Sequence, residues 1–413
     1  MPETLVREGT TARLGTVAGD LRVGKNSRIV PESGRKVVVA GAVVLHGRTA
    51  IDCDLECQSL SLEGKGWGPE GDVTINGGLE VHGSADVDAT LRVSGELVAG
   101  ELDVAGHLKS GQLQSGRLRV GGHLETRGSA VAGDVDVGGH MKVHGAVTFQ
   151  SLRVGGHAEV GGGTIAGEIK ARGHVISHGP LRFGTVQTYG HLTLPRGSVG
   201  ERLSVLGKVE FEGDAVCRSL EVTGDAMVHG DCDAAEVEVK GNLDVKGKTR
   251  VQGKLRVFGT AASRGAVESG AVGVSGRLTA ERVSADSADI VGEVNTSQGL
   301  KARSISVGKA STVTGALIGE VVDIGKEMDF GSIWGLPWWR SAMGRTTSVE
   351  DIYAKSVRVG SNSRARRVCA EVVRLEDGAI ADEVVYTKEL DLPKHYHLAK
   401  PPVKTAQLPQ PGS

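Results

Sequence analysis

The sequence predicts an all-β chain wound into a single long parallel β-helix (a β-solenoid), with three short strands per turn and a Trp-rich insertion near its C-terminal end. Three observations predict it. A phrase of the type apolar-x-Val-x-Gly begins at Leu118, Val135, Leu152, Ile169, Val186, Leu203, Leu220 and Val237, each start 17 residues after the last. Within that unit, apolar or small residues recur at positions 1, 3, 7, 9, 13 and 15, as in Val135, Val137, Met141, Val143, Val147 and Phe149. The composition agrees: 62 of 413 residues are Gly, 39% are hydrophobic and only 3% are aromatic. There is no G-X-Y period to suggest collagen, and too much apolar surface for wholesale disorder. Large side chains are too few for one thick core, so the interior must be narrow.

Apolar residues paired at a spacing of two are short half-buried strands. The glycines between them supply corners, where the backbone turns or approaches a neighbour closely. Position 5 is Gly in all eight regular copies, from Gly122 and Gly139 to Gly241, and position 11 is Gly in all but the copy with Arg196. The result is three walls of six, six and five residues. A helix is excluded, because Gly at this frequency costs ~1 kcal/mol each and the period is not 3.6. Stacked turns should pair as parallel ladders ~4.8 Å apart, giving about twenty turns and a length on the order of 95 Å.

Along the chain, residues 1–16 form an N-terminal segment and 17–328 the solenoid. The phrase is faint at Leu21, Val37, Leu60 and Val73, clearer at Leu91 and Leu102, and slips by single residues through Leu255, Val272, Ala288, Ile305 and Val322. The Gly/Pro segment 64–71, with Trp67, reads as a surface loop. Residues 329–350 interrupt the repeat with three of the four tryptophans. It resumes over 351–392, at Val357-Arg-Val359, Val373-Arg-Leu375 and Val384-Val-Tyr386. The Pro-rich segment 393–413 is either a disordered tail or a strap laid along the last turn.

Charge excludes some functions. Lys+Arg 48 against Asp+Glu 50 leaves no basic field for nucleic acid. No apolar run reaches the ~18 residues of a membrane span, and the N-terminus lacks the apolar segment of a secretory signal. Five scattered cysteines make no disulfide framework. A cytoplasmic protein is expected.

Two surfaces are candidates for function. The first is the interruption, where Trp334, Leu336, Trp338, Trp339 and Arg340 cluster, with a supporting basic group, Arg364, Arg366 and Arg367, further on. Three readings stand: a fold-back that covers the solenoid, an interfacial anchor on anionic lipid at the inner face of the membrane, or a protein-docking site. The second is position 6 of the unit, where His107, His123, His140, His157, His174 and His191 each follow a corner glycine. The last five share the 17-residue spacing, so they should stack as an outward ladder. Solvated repeat residues would look the same as a metal-binding or pH-sensing row. No carboxylate or cysteine ladder accompanies them, so no metal or other cofactor is expected. Gly241 to Thr249 imitates a phosphate-binding loop but has five residues between its glycines rather than four. Cys53 and Cys57 have the wrong spacing for zinc, and Cys217 and Cys232 fall on inward positions. No catalytic constellation can be isolated, and the left-handed hexapeptide enzymes differ in having strict six-residue periods.

Read as a whole, the repeat resembles the bactofilin family of polymer-forming cytoskeletal proteins. The residues that carry the resemblance are units such as Leu152-Arg-Val-Gly-Gly-His-Ala-Glu-Val160-Gly-Gly162, with Val357-Arg-Val-Gly-Ser and Val373-Arg-Leu-Glu-Asp-Gly-Ala379 downstream. The resemblance covers most of 17–392 at the level of architecture. It implies a right-handed helix, in line with the general preference for right-handed crossovers. It also implies self-assembly end to end without nucleotide, often at a membrane. This chain departs from the family in its greater length and in the C-terminal place of its possible anchor. The expectation is a non-enzymatic scaffold forming filaments with itself as partner. The alternatives are a binding module of one or few copies docking through the Trp segment, and a metal-dependent enzyme using the His ladder.

Overall fold

The 17-residue phrase folds as its alternation requires. In the copy starting at Val135, His140–Val143 is one strand and Val147–Val154 begins the next, and Val135, Val137, Met141, Val143, Val147 and Phe149 are all buried. The computed structural model describes residues 2–63, 72–326 and 346–411, and among these there is no helix. Parallel strands stack into β-solenoid structure of about 22 turns, with about 17 residues per turn. The chain divides into two units, Met1–Arg202 with Leu206–Val209, and Leu203–Val205 with Glu210–Ser413.

In the first unit the regular register is one repeat: His123 pairs with His140, Val135 with Leu152, and Val143 with Val160. The faint period upstream comes from inserted residues, not from a different fold. Thr16 pairs with Val38 rather than with residue 33, because the chain between Arg28–Pro31 and Lys36–Val39 bulges out. Leu55 likewise pairs with Leu79 across the segment that holds 64–71. The ladder resumes in register after each insertion.

Only two of the three corners interrupt the strands. Asp134 pairs with Ser151 at the third, so Ala130–Val137 and Val147–Val154 each run through two walls without a break. The corner at position 5 needs glycine because of crowding. A Cβ on Gly139 would lie 2.1 Å from the Gly122 carbonyl oxygen, and one on Gly156 2.1 Å from that of Gly139. Neither has a positive φ, so close approach between turns excludes a side chain there.

In the second unit, Ala215 pairs with Cys232 and Cys217 with Ala234, and both thiols are buried. The Asp214 and Asp231 carboxylates close corners by accepting from the Asp231 and Lys248 backbone N–H at 2.9 and 2.8 Å. Val322 pairs directly with Val357, so the turns on either side of 327–345 are neighbours. Thr347–Val359, Ser363–Leu375 and Ile380–Asp391 then run almost unbroken, and Tyr353, Cys369 and Val385 stack in one row against Ala316 and Ile318.

Candidate functional site

The histidine row begins with the corner glycines. Each corner positions the next backbone N–H against the turn before: His140 donates to the Gly122 carbonyl at 2.9 Å and His157 to that of Gly139 at 3.0 Å. Strand alternation then buries Leu124, Met141, Ala158, Val175 and Leu192 and turns the imidazoles outward. His107, His123, His140, His157, His174 and His191 pair in unbroken register. Their ring centroids are 4.7 and 4.9 Å apart over His107–His123–His140, with near-parallel planes, and open to 5.9, 6.1 and 6.0 Å further along. The expected ladder is therefore present, tight at one end and tilted at the other.

The tilt has a cause. Two residues along each strand, a second ladder alternates in charge: Lys109, Glu125, Lys142, Glu159. Lys109 meets Glu125 at 2.5 Å and Lys142 meets Glu159 at 2.8 Å. Glu159 also takes His157 Nε2 at 3.1 Å and lies 3.6 Å from His178 Nε2, which draws the His157 ring out of the stack. The Lys142 ammonium, then His157, hold the Glu159 carboxyl down at about 2. His123 moves the other way for a base. Burial, and then the charges that His107 and His140 would carry, lower its pKa below the ordinary imidazole value. Two imidazolium rings this close repel by about 1 kcal/mol even in bulk water. The His123 ring therefore resists taking up a proton between its two stacked neighbours. Among the described residues, no group of three or more His, Cys, Asp or Glu is arranged to hold a metal ion.

The basic cluster is occupied by its neighbours. Arg364 reaches Asp382 at 3.2 Å, Arg366 reaches Asp351 at 2.9 Å and Arg367 reaches Glu383 at 3.0 Å. Their carboxylate partners lie on adjacent turns, so the three guanidinium groups present little net positive field. Trp334, Leu336, Trp338, Trp339 and Arg340 lie outside the described residues, as does Trp67. The apparent phosphate loop is two corners flanking the strand Asn242–Val245; a Cβ on Gly241 would meet the Gly224 carbonyl oxygen at 2.1 Å. All five cysteines are buried. Burial pushes the Cys57 and Cys217 thiols up to about 12, which suits inert packing.

Two edges complete the set of candidate surfaces. Glu3–Val6, Thr11–Leu14 and Thr16–Val17 each pair with the following turn and, among the described residues, with nothing on their other side. The Pro2 and Val6 carbonyls accept from Asp20 and Gly24. By alternation, Glu3 and Leu5 aim their backbone groups at the unpaired side. Ile380–Asp391 is covered instead. His397–Leu398 pairs with Ile380 and Ala381, and Val403–Lys404 pairs with Val385 and Tyr386, both in parallel. Of the two readings open for the Pro-rich segment, the strap is the one found. Its signal in the sequence was slight: two dipeptides separated by Pro401 and Pro402.

Fold and surfaces together define a parallel β-solenoid repeat protein whose described features are an imidazole ladder and two unlike edges. Comparison with protein-family models, with curated proteins and with solved structures finds no match.

Proposed function

We propose that this chain is a non-enzymatic structural scaffold, bactofilin-like in organisation, whose copies associate end to end through the edges of their turns. The observation that carries the reading is the outer side of Glu3–Val6, Thr11–Leu14 and Thr16–Val17, unpaired among the described residues. An open parallel edge with backbone donors and acceptors aligned is a template for another strand. Val6 and Val17 are buried and Leu14 is half-buried on the inward face of that edge, so an added turn would extend an apolar interior already begun.

Proline at the outward-facing positions tests the reading, because it removes an N–H from the open side without taking a bond from the ladder. Full-length protein should sediment as concentration-dependent oligomers and appear as filaments by electron microscopy. Leu5→Pro combined with Arg13→Pro should sediment as the monomer with an unchanged far-ultraviolet spectrum. Wild-type protein that stays monomeric at high concentration would reject end-to-end association.

A further inference from the structure

The two edges differ in what covers them, and the cover on one of them is lightly held. The strap touches the Ile380–Asp391 turn through backbone hydrogen bonds. His397 donates to the Ala379 carbonyl at 3.1 Å, Ala399 to Ala381 at 3.2 Å, Lys400 to Asp382 at 3.1 Å and Thr405 to Tyr386 at 2.9 Å, while Gly378 donates to His395 at 2.9 Å. Side chains add little. Lys400 lies 3.7 Å from Glu383, His395 lies 4.0 Å from Asp377, and the Lys404 ammonium sits 5.9 Å from the centre of the Tyr386 ring. These pairs are solvated and worth little. Among residues 393–411 none is buried; Tyr396 is 45% and Val403 52% exposed. Val403 merely extends the row of Tyr353, Cys369 and Val385 by one rung. A full turn elsewhere in the unit buries about six inward side chains; the strap offers only Leu398, half-buried in register with Ala381, and the half-exposed Val403.

The strap is also a poor template for further growth. Pro393, Pro401, Pro402 and Pro409 lack the N–H that a following strand would need, a recurrent way of blunting an edge. It spans two of the three walls, at 380–381 and 385–386, and no described strand pairs with the outer side of 389–391. Where it does pair, it pairs in parallel, so a parallel strand is what this edge accepts. Among the described residues, the strands left with an unpaired parallel edge and an apolar inner face are Glu3–Val6, Thr11–Leu14 and Thr16–Val17. Stacked on Ile380–Asp391, that edge would carry the ladder from one chain into the next with the strands running in the same sense.

We propose that residues 393–411 form a displaceable cap on the Ile380–Asp391 edge, and that a second copy of this chain, presenting its Glu3–Val6 edge, takes that place when the cap leaves. The proposal rests on the end-to-end reading and sets where growth begins and stops. A seated cap leaves each chain with one edge to offer and none to receive it. A released cap restores a heterologous contact that repeats without closing.

The test uses two variants of the full chain. Ala399→Pro with Thr405→Pro removes two strap donors. Tyr386→Cys with Lys404→Cys joins paired positions, on the face away from Cys369, through a disulfide when oxidised. Limited proteolysis within 393–411 reports whether the strap is free, and far-ultraviolet circular dichroism reports the fold. The released variant should polymerise at a critical concentration about tenfold below wild type, in line with the loss of two backbone hydrogen bonds. The oxidised variant should stay monomeric until reduced. Three outcomes overturn the proposal. If wild type polymerises and the protease-sensitive variant does so at the same concentration, the cap is refuted and end-to-end association stands. The same holds if the oxidised variant polymerises like wild type. If no variant associates at any concentration, both fall together.

Discussion

Thr188 departs from its own repeat. Its unit position holds Val in most regular copies, including Val137, Val154, Val205 and Val222, and its hydroxyl is buried without a hydrogen-bond partner, alone in this among the described side chains. A hydroxyl in that state costs desolvation and returns nothing, whereas the isosteric Val fills the same space. Thr188→Val should therefore raise stability by about 1 kcal/mol, read as a higher denaturant midpoint at unchanged slope. A lower midpoint would mean that the hydroxyl has a partner. The buried thiols teach the opposite lesson. Cys217 and Cys232 act as small apolar residues in the narrow interior, and their chemistry is silenced by the same burial that makes them useful there.

At the scale of the turn, the corner glycines decide whether rungs can stack. A Cβ on Gly259 would sit 2.1 Å from the Gly241 carbonyl oxygen, whereas one on Gly273 would meet nothing within 4 Å. Gly259→Ala must push two turns apart and should cost about 1–3 kcal/mol, while Gly273→Ala should be neutral or stabilise by a few tenths to about 1 kcal/mol. Thermal melts of the two variants side by side check this; equal losses would show that glycine is required for flexibility and not for clearance. Much of this level was readable beforehand, because a strict period places inward residues, corners and the histidine row without knowledge of a single contact. Three features were not. The unbroken third corner depends on pairing between Asp134 and Ser151, for which no residue type is a marker. The strap is built from two dipeptides, too short for any periodicity to show. The neutralisation of Arg364, Arg366 and Arg367 needed the register that brings Asp382, Asp351 and Glu383 beside them.

Across the molecule, stability is local, since each turn leans on its two neighbours and not on a common core. A disturbance should then stay near its source, and the histidine ladder allows a direct test. His123 has a lowered folded-state pKa, so the unfolded chain binds more protons as pH falls through the ordinary imidazole value of 6.5. The stability contributed by the neutral His123 ring is thus complete above that value and lost as pH falls below it. Glu159 titrates in a separate window. Its contribution is present above 4.5 and fades only toward about 2. Between about pH 7.5 and about pH 5.5 the window is that of His123 and not of Glu159. Amide exchange, corrected for its intrinsic pH dependence, should speed up severalfold around His123, over 107–143, and hardly change over 242–307, a stretch without histidine. His123→Asn, a change that copies the residue Asn242 at the equivalent position, should shrink the effect. Uniform acceleration over both stretches would show that the turns respond as one body.

The pairing of His123 with His140 and of His140 with His157 has a last consequence, for heredity. If residues 140–156 were deleted, His157 would follow Gly139 directly and could donate to the Gly122 carbonyl as His140 does now, with every later rung still in step. A duplication of the same block would be equally silent. The gene can therefore lengthen or shorten its product in quanta of one rung without inventing a new contact, while any insertion that is not a whole rung must be extruded as a loop.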